Sequence, residues 1–184
     1  MHLFVGGTRS GKSALAQQWT EGHASGGNAR LLYVATCRVE DDEMAARVAR
    51  HRQKRGPAWT VCEEALDPMG AVSKCLAAPP DTPQDRPCAI LLDCISLWVA
   101  NLLAAGLDSE AIAARVQTLA QGLASCGLPC ALVSAEVGMG LVPTSALGRQ
   151  YRDILGETNQ ILAAVCDSVV FVTCGLPLVI KGKL

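Results

Sequence analysis

Near the amino terminus, Gly6-Gly7-Thr8-Arg9-Ser10-Gly11-Lys12-Ser13 have the types and the spacing to hold a polyphosphate. They satisfy the pattern G-x-x-x-x-G-K-[ST] at every defined position. A phosphate chain needs many donors in a small volume. Glycines let successive backbone N–H groups curl inward, and a following helix presents its unsatisfied N–H groups and positive dipole end to the same anion. Lys12 then adds a mobile charge on the outer phosphates, and the Ser13 hydroxyl helps to hold Mg²⁺. The alternative is a glycine-rich turn that binds nothing. Apolar Leu3-Phe4-Val5 before the loop, and the helical pattern of Ala14, Leu15, Ala16 and Trp19 after it, supply the strand-loop-helix setting that the phosphate reading requires.

Three other positions carry possible chemistry. Asp93 ends the apolar run Ala89-Ile90-Leu91-Leu92, where an acidic group opposite a phosphate loop holds Mg²⁺; a turn or helix-capping aspartate is the plainer alternative. His51 shares one side of a helix with Glu43, Arg47 and Arg55 at a spacing of four. The basic neighbours keep its imidazole neutral, which suits attack on a nucleotide α-phosphate, yet a solvated basic face with an incidental histidine is the simpler reading of these residues. Glu63 and Glu64 could bind a ribose or a metal, although exposed glutamates usually do neither. His2 and His23 have no such company, and Arg149, Arg152 and Asp153 read as surface charge.

The elements that must position these groups follow in order. Leu31 to Thr36 is a continuously apolar strand of the buried parallel kind, closing a β-α-β unit with the first strand and helix. Residues 40–55 predict a helix, acidic at its start and basic at its end, stopped by Gly56-Pro57. Trp59 to Cys62 predicts a short strand, Pro68 to Ala77 a weaker helix, Ala78 to Pro87 a proline-rich loop, and Ala89 to Asp93 a buried strand. A helix from Asp108 buries Ile112, Val116, Leu119 and Leu123, and Cys130 to Ser134 is the next strand. Glu136 to Pro143 is a loop; the helix beyond it carries Leu147, Tyr151, Leu155, Leu162 and Val165 as an apolar stripe. Ser168 to Thr173 and Leu178 to Ile180 predict an edge hairpin joined through Gly175-Leu176-Pro177. Strands alternating with helices give an open, mostly parallel α/β sheet, whose ligands bind beyond the carboxyl ends of the strands. Thr8, Thr36, Asp93 and Glu136 fall at such ends.

At 184 residues the chain predicts one domain, residues 1–184, with a substantial core. Half of its residues are apolar and its net charge is −1, a balance that points to small molecules and away from nucleic acid. The strand at the very start leaves no room for a secretory signal, and Asp93, Ser96 and Asn101 interrupt the longest apolar region, so no membrane span is expected. The nine cysteines form no C-x-x-C pair and sit mostly in apolar runs, namely Cys88, Cys94, Cys130, Cys166 and Cys174. They read as small buried hydrophobes of a reducing compartment, the cytoplasm. Cys126 and Cys130 are a close pair without a histidine to complete a zinc site.

Together these residues resemble the bifunctional adenosylcobinamide kinase/adenosylcobinamide-phosphate guanylyltransferases of cobalamin biosynthesis. The matching features are Gly6 to Ser13, Leu32 to Thr36, Asp41-Asp42-Glu43-Met44 with Arg47, His51 and Arg52, Leu91-Leu92-Asp93-Cys94, Glu136-Val137-Gly138-Met139-Gly140 with Val142-Pro143, Arg152-Asp153 with Gly156, Asn159 and Gln160, and Lys181-Gly182. The phosphate loop alone is widely shared; D-D-E-M followed at a fixed distance by His-Arg, together with E-V-G-M-G, is specific. The resemblance implies a P-loop NTPase fold with a RecA-like sheet, a homotrimer, and two reactions. An NTP, either ATP or GTP, phosphorylates adenosylcobinamide; GTP then gives GMP to adenosylcobinamide phosphate, leaving adenosylcobinamide-GDP and pyrophosphate.

By motif position the resemblance makes His51 the residue that is guanylylated. Some relatives carry a histidine just before it, where this chain has Arg50. The implied nucleotide contacts are Gly6 to Ser13, Val34-Ala35-Thr36, then Arg52, Gln53, Lys54 and Arg55, and Glu63 and Asp93, with Ser13 and Asp93 for Mg²⁺ and Lys12 as a catalytic charge. Relatives commonly have asparagine where this chain has Ala135, and the proline-rich stretch matches nothing in the family. Two other readings are a kinase of a different small alcohol, which leaves His51 without a task, and a nucleotide-dependent switch. A guanine-reading switch should carry Asn-Lys-x-Asp, and none of the three asparagines is followed by lysine.

Overall fold

The computed structural model describes residues 1–24, 29–38, 56–79 and 86–184. The predicted helix over 40–55, with His51, Arg52, Gln53, Lys54 and Arg55, lies outside the described residues, as do positions 25–28 of the first loop and 80–85 of the proline-rich one.

A seven-stranded sheet organises the rest. In chain order the elements are β1 (His2–Gly6), α1 (Lys12–Glu21), β2 (Arg30–Ala35), β3 (Trp59–Glu63), α2 (Pro68–Ala77), β4 (Pro87–Asp93), α3 (Ile95–Ala104), α4 (Ser109–Ser125), β5 (Cys130–Ala135), α5 (Ala146–Val165), β6 (Ser168–Thr173) and β7 (Leu176–Lys181). The strands lie in the order β3-β2-β4-β5-β1-β6-β7. All pairs are parallel except β6 with β7. This is the expected α/β P-loop NTPase-like fold. β5 separates the strand of the phosphate loop from the strand that ends in Asp93, with Gly6 opposite Ala135 and Asp93 opposite Val133.

The strands read as continuous apolar runs because both sheet faces are covered. Alternate residues still part company. Leu3, Val5, Leu32, Val34, Ile90, Leu92 and Leu132 meet Val72 of α2, Trp98 of α3, Val116 and Leu119 of α4 and Leu155 of α5. Phe4, Tyr33, Leu91, Ala131, Val133 and Val172 pack with Ala16 of α1 on the other face. The helix boundaries have local causes. Asp67, Asp108 and Ser145 accept from the backbone N–H three residues on, capping α2, α4 and α5. Gly106 at φ 85° and Gly127 at φ 71° close α3 and α4 in the left-handed conformation.

Two expectations need correction. The stripe of α5 is right at Leu155 and Leu162, both fully buried, but Leu147 is 64 % and Val165 49 % exposed. Both stand at helix ends: a helix of 20 residues runs about 30 Å and overhangs strands of about 20 Å. The hairpin turn is also shorter than predicted, being Cys174-Gly175 with φ of 52° and 79°. Positive φ at both central residues is the requirement of a two-residue turn whose twist matches its strands. Leu176 and Pro177 therefore belong to β7, whose outer edge tolerates a proline.

Candidate active site

The described candidate residues lie along the carboxyl edge of the sheet. The phosphate loop leaves β1 at Gly6, where an added Cβ would meet the Val172 carbonyl oxygen at 2.2 Å. Arg9 is left-handed at φ 58° and Gly11 at φ 97°. The loop closes on itself: Ser10 N donates to Gly7 O at 3.3 Å, and Lys12 Nζ donates to the same oxygen at 3.0 Å. Ser10 is buried, and its hydroxyl oxygen has no hydrogen-bond partner among the described residues. α1 begins at Lys12 with no side-chain cap on its first N–H groups. Ser13, in its first turn, is partly buried.

Asp93 ends β4, and Tyr33 Oη donates to its Oδ2 at 3.3 Å. The next residue, Cys94, feels both acid and lysine. Burial pushes its thiol up, the Asp93 charge adds to that, and Lys12 pulls weakly the other way. Asp93 and Cys94 are joined by a cis peptide bond.

Val34 and Thr36 are fully buried, while Ala35 is partly exposed. The Thr36 hydroxyl donates to Cys94 O at 2.7 Å and accepts from Cys94 N at 3.0 Å, which pins the end of β2 to the end of β4. Glu63 is exposed at the end of β3. It stands four strands from β1, roughly 19 Å along the edge at the usual spacing, and is the most distant described member of the set. Its neighbour Glu64 is structural: it accepts from Leu66 N at 2.8 Å and Asp67 N at 3.0 Å, and these bonds hold its carboxyl below the usual range.

Several working residues carried no local signal. Asn101 donates to Thr36 O at 2.7 Å and Ala65 O at 3.1 Å, tying α3 to the ends of β2 and β3. Arg149 and Arg152, which read as surface charge, are backbone clamps. Arg149 donates to Pro143 O and Thr144 O, and Arg152 to Gly138 O and Gly140 O, so α5 holds the loop over 136–143. Glu136, at the start of that loop, donates its N–H to Gly6 O at 3.1 Å and so sits beside the phosphate loop. Where relatives have asparagine, Ala135 offers only its carbonyl, and Asn159 of α5 donates to it at 3.0 Å.

The cysteines divide. Cys130 and Cys166 are buried as expected, Cys88 and Cys94 partly so, and Cys174 is exposed because it sits in the hairpin turn. All nine are free thiols. Among the described residues no three His, Cys, Asp or Glu side chains cluster as a metal site, and no helix is long and apolar enough to cross a membrane.

A family model described as cobinamide kinase / cobinamide phosphate guanyltransferase matches residues 2–180. The chain belongs to this family. The match to the cobinamide kinase / cobinamide phosphate guanyltransferases runs from β1 almost to the end of β7, so it takes in the phosphate loop, the sequence around His51 and the edge hairpin alike. Among relatives, the bifunctional adenosylcobalamin biosynthesis protein CobU of Salmonella typhimurium is 38% identical over 195 aligned residues, covering 98% of this chain and 99% of the relative. The protein of the same name in Escherichia coli is 37% identical with the same coverage. The bifunctional adenosylcobalamin biosynthesis protein CobP of Pseudomonas aeruginosa is 35% identical over 181 residues, covering 98% of this chain and 97% of the relative.

Proposed function

We propose that this protein phosphorylates adenosylcobinamide with an NTP and then converts the product to adenosylcobinamide-GDP with GTP. One observation carries the reading: full-length membership of the cobinamide kinase / cobinamide phosphate guanyltransferase family in a chain whose phosphate loop has every defined residue in place.

In the first reaction the substrate hydroxyl oxygen attacks the γ-phosphorus, its proton is lost, and the nucleoside diphosphate leaves. The loop N–H groups and Lys12 hold charge as it moves onto the leaving oxygen. Ser10 supports this assignment, since a buried hydroxyl without a partner inside the loop fits a site built for phosphate oxygens. In the second reaction His51 attacks the α-phosphorus of GTP and pyrophosphate leaves. A phosphate oxygen of adenosylcobinamide phosphate then attacks the same phosphorus, and the imidazole is released. Arg52, Lys54 and Arg55 follow the nucleophile and neutralise the transferring group, with Gln53 as a neutral hydrogen-bonding neighbour, while Ala35 and Glu63, backed by the buried Val34 and Thr36, receive the nucleoside.

Ser13 and Asp93 fit a Mg²⁺ ion. Both offer hard oxygen ligands, and Mg²⁺ is usually bound by one or two protein oxygens together with phosphates and water, without an all-protein cage. When bound, the ion would offset negative charge on the phosphates. The protein is further proposed to work as one domain, in the cytoplasm, as a homotrimer. The exposed apolar side chains of β7, with Leu176 at 68 %, Leu178 at 60 % and Ile180 at 64 %, suit an edge that another copy covers.

The test is reconstitution. Purified protein with adenosylcobinamide, Mg²⁺ and GTP is expected to yield adenosylcobinamide-GDP and pyrophosphate by mass spectrometry. Accumulation of the phosphate ester alone would leave a monofunctional kinase.

A further inference from the structure

The two-residue turn of the β6–β7 hairpin rests against the phosphate loop. Gly175 N donates to Ser10 O at 2.9 Å. A Cβ on Gly11 would lie 3.2 Å from Gly175 Cα and 4.0 Å from Val172 Cγ1, and one on Gly6 would collide with Val172 O. The hairpin's approach therefore excludes a side chain at Gly6 and crowds one at Gly11, where the left-handed bend of the loop at φ 97° already favours glycine.

A trans peptide group directs its carbonyl and its N–H to opposite sides. Ser10 C=O and Gly11 N–H belong to one such group. With the carbonyl held by Gly175, the Gly11 N–H turns away from the hairpin. We propose that Gly175 is a positioning residue of the nucleotide site: its N–H fixes the Ser10–Gly11 peptide so that Gly11 N–H faces the phosphates. This rests on the reading of Gly6 to Ser13 as the triphosphate cradle. Gly175 touches no substrate itself and acts through Ser10. The turn is suited to the task, since its tight left-handed conformation, φ 52° at Cys174 and 79° at Gly175, leaves the donor little freedom. The same turn is anchored on its far side, because β6 pairs with β1, the strand that launches the loop. Loop and clamp thus share one rigid support.

Removing a single backbone N–H tests this directly. Cys174 permits chemical ligation of a synthetic 174–184 peptide to a 1–173 thioester, and the peptide can carry an ester oxygen in place of the Gly175 nitrogen. Titrations of GTP and GMP compare this protein with its all-amide counterpart made in the same way. The ester is expected to weaken GTP binding about tenfold, near the upper range for one hydrogen bond, and to shrink the preference for GTP over GMP by a similar factor. A merely structural role would lower the melting temperature and move both ligands together. A recombinant protein with one glycine inserted between Cys174 and Gly175 displaces the same donor and should show the same selective loss, so the question survives if the ligated protein does not refold. An unchanged GTP-to-GMP preference in either protein overturns the role of Gly175. Lys12→Ala in the same titration separates the two readings: if it binds GTP as the wild type does, the phosphate-loop reading itself fails.

Discussion

Arg152 of α5 donates to the carbonyl oxygen of Gly138 at 2.7 Å, so a helix side chain holds the backbone of the loop that follows β5. A second guanidinium nitrogen reaches Gly140 O at 3.5 Å. The clamp is made to carbonyls, which leaves the loop's own side chains, Met139 at 80 % and Leu141 at 97 % exposure, facing outward.

Arg152→Ala removes this clamp at an exposed site, where a hydrogen bond from a charged group is worth about 1 kcal/mol after its competition with water. The expected result is a melting temperature lower by about 3 °C and faster proteolysis within 136–143. Arg152→Lys should recover part of both effects, because an ammonium reaches one carbonyl but lacks the fork that reaches two. Unchanged cleavage in Arg152→Ala would show that Arg149 holds the loop alone.

Gly6 and Gly7 provide a contrast within one loop. A Cβ on Gly6 would collide with the Val172 carbonyl oxygen, an atom of β6, which is paired on both sides and has little room to move; a Cβ on Gly7 meets nothing within 4 Å. Gly6→Ala is expected to cost about 1–3 kcal/mol in urea unfolding, while Gly7→Ala stays within about 0.5 kcal/mol of the parent. Equal stabilities would mean that β1 and β6 can part without cost.

The contrast between local and tertiary signals explains what the chain revealed before folding. Leu3-Phe4-Val5, Leu31 to Val34 and Ile90 to Leu92 declared buried parallel strands because they are apolar on both faces, and Asp108 and Gly127 marked the ends of α4 through capping chemistry that is local. The phosphate loop was legible for the same reason, as all of its defined residues are adjacent in sequence. Arg149, Arg152, Asn101 and Gly175 were not, because each bonds to backbone carbonyls, which have no sequence identity, and Asn101 and Gly175 bond to distant ones. The hairpin turn begins earlier than the sequence predicts because Cys174 carries no sign of a left-handed residue, whereas Leu176-Pro177 has the composition of a loop. Leu147 and Val165 kept helical periodicity with the buried stripe, and only the length of α5 relative to the sheet exposes them.

His2 ties stability to acidity. Its ring lies against Trp19 at a centroid distance of 4.2 Å, and Nε2 donates to Lys183 O at 3.0 Å. Burial lowers its pKa below 6.5; the Lys183 carbonyl pushes back, the amino terminus and His23 assist the lowering, and Asp167 opposes it. The unfolded chain therefore takes up this proton first. The stability linked to neutral His2 is complete above the unfolded value of about 6.5, declines as pH falls through that region, and is gone below the folded value. The melting temperature of His2→Gln is expected to lose less than that of the parent between pH 7 and pH 5. Parallel curves would assign the acid sensitivity elsewhere.

Lys12 carries the first reaction if the loop is the phosphate site. Lys12→Ala removes a charge from the leaving side of the γ-phosphate, and loss of one preorganised electrostatic contact costs about 10²–10³ in rate. Phosphorylation of adenosylcobinamide is expected to fall by at least about a hundredfold, with the folded state retained by circular dichroism. Wild-type turnover in this variant would remove the loop from the chemistry.

If His51 is the nucleophile of the second reaction, covalent chemistry gives it a distinct signature. Attack on the α-phosphorus forms a P–N bond that keeps GMP and expels pyrophosphate, so label at the α-phosphate of GTP stays on the protein while label at the γ-phosphate does not. Protonation of the ring makes imidazole a good leaving group, so the adduct should survive alkali and be released by acid. His51→Ala is expected to show no such adduct. Label retained in that variant, or an adduct stable to acid, would place the nucleophile on another side chain.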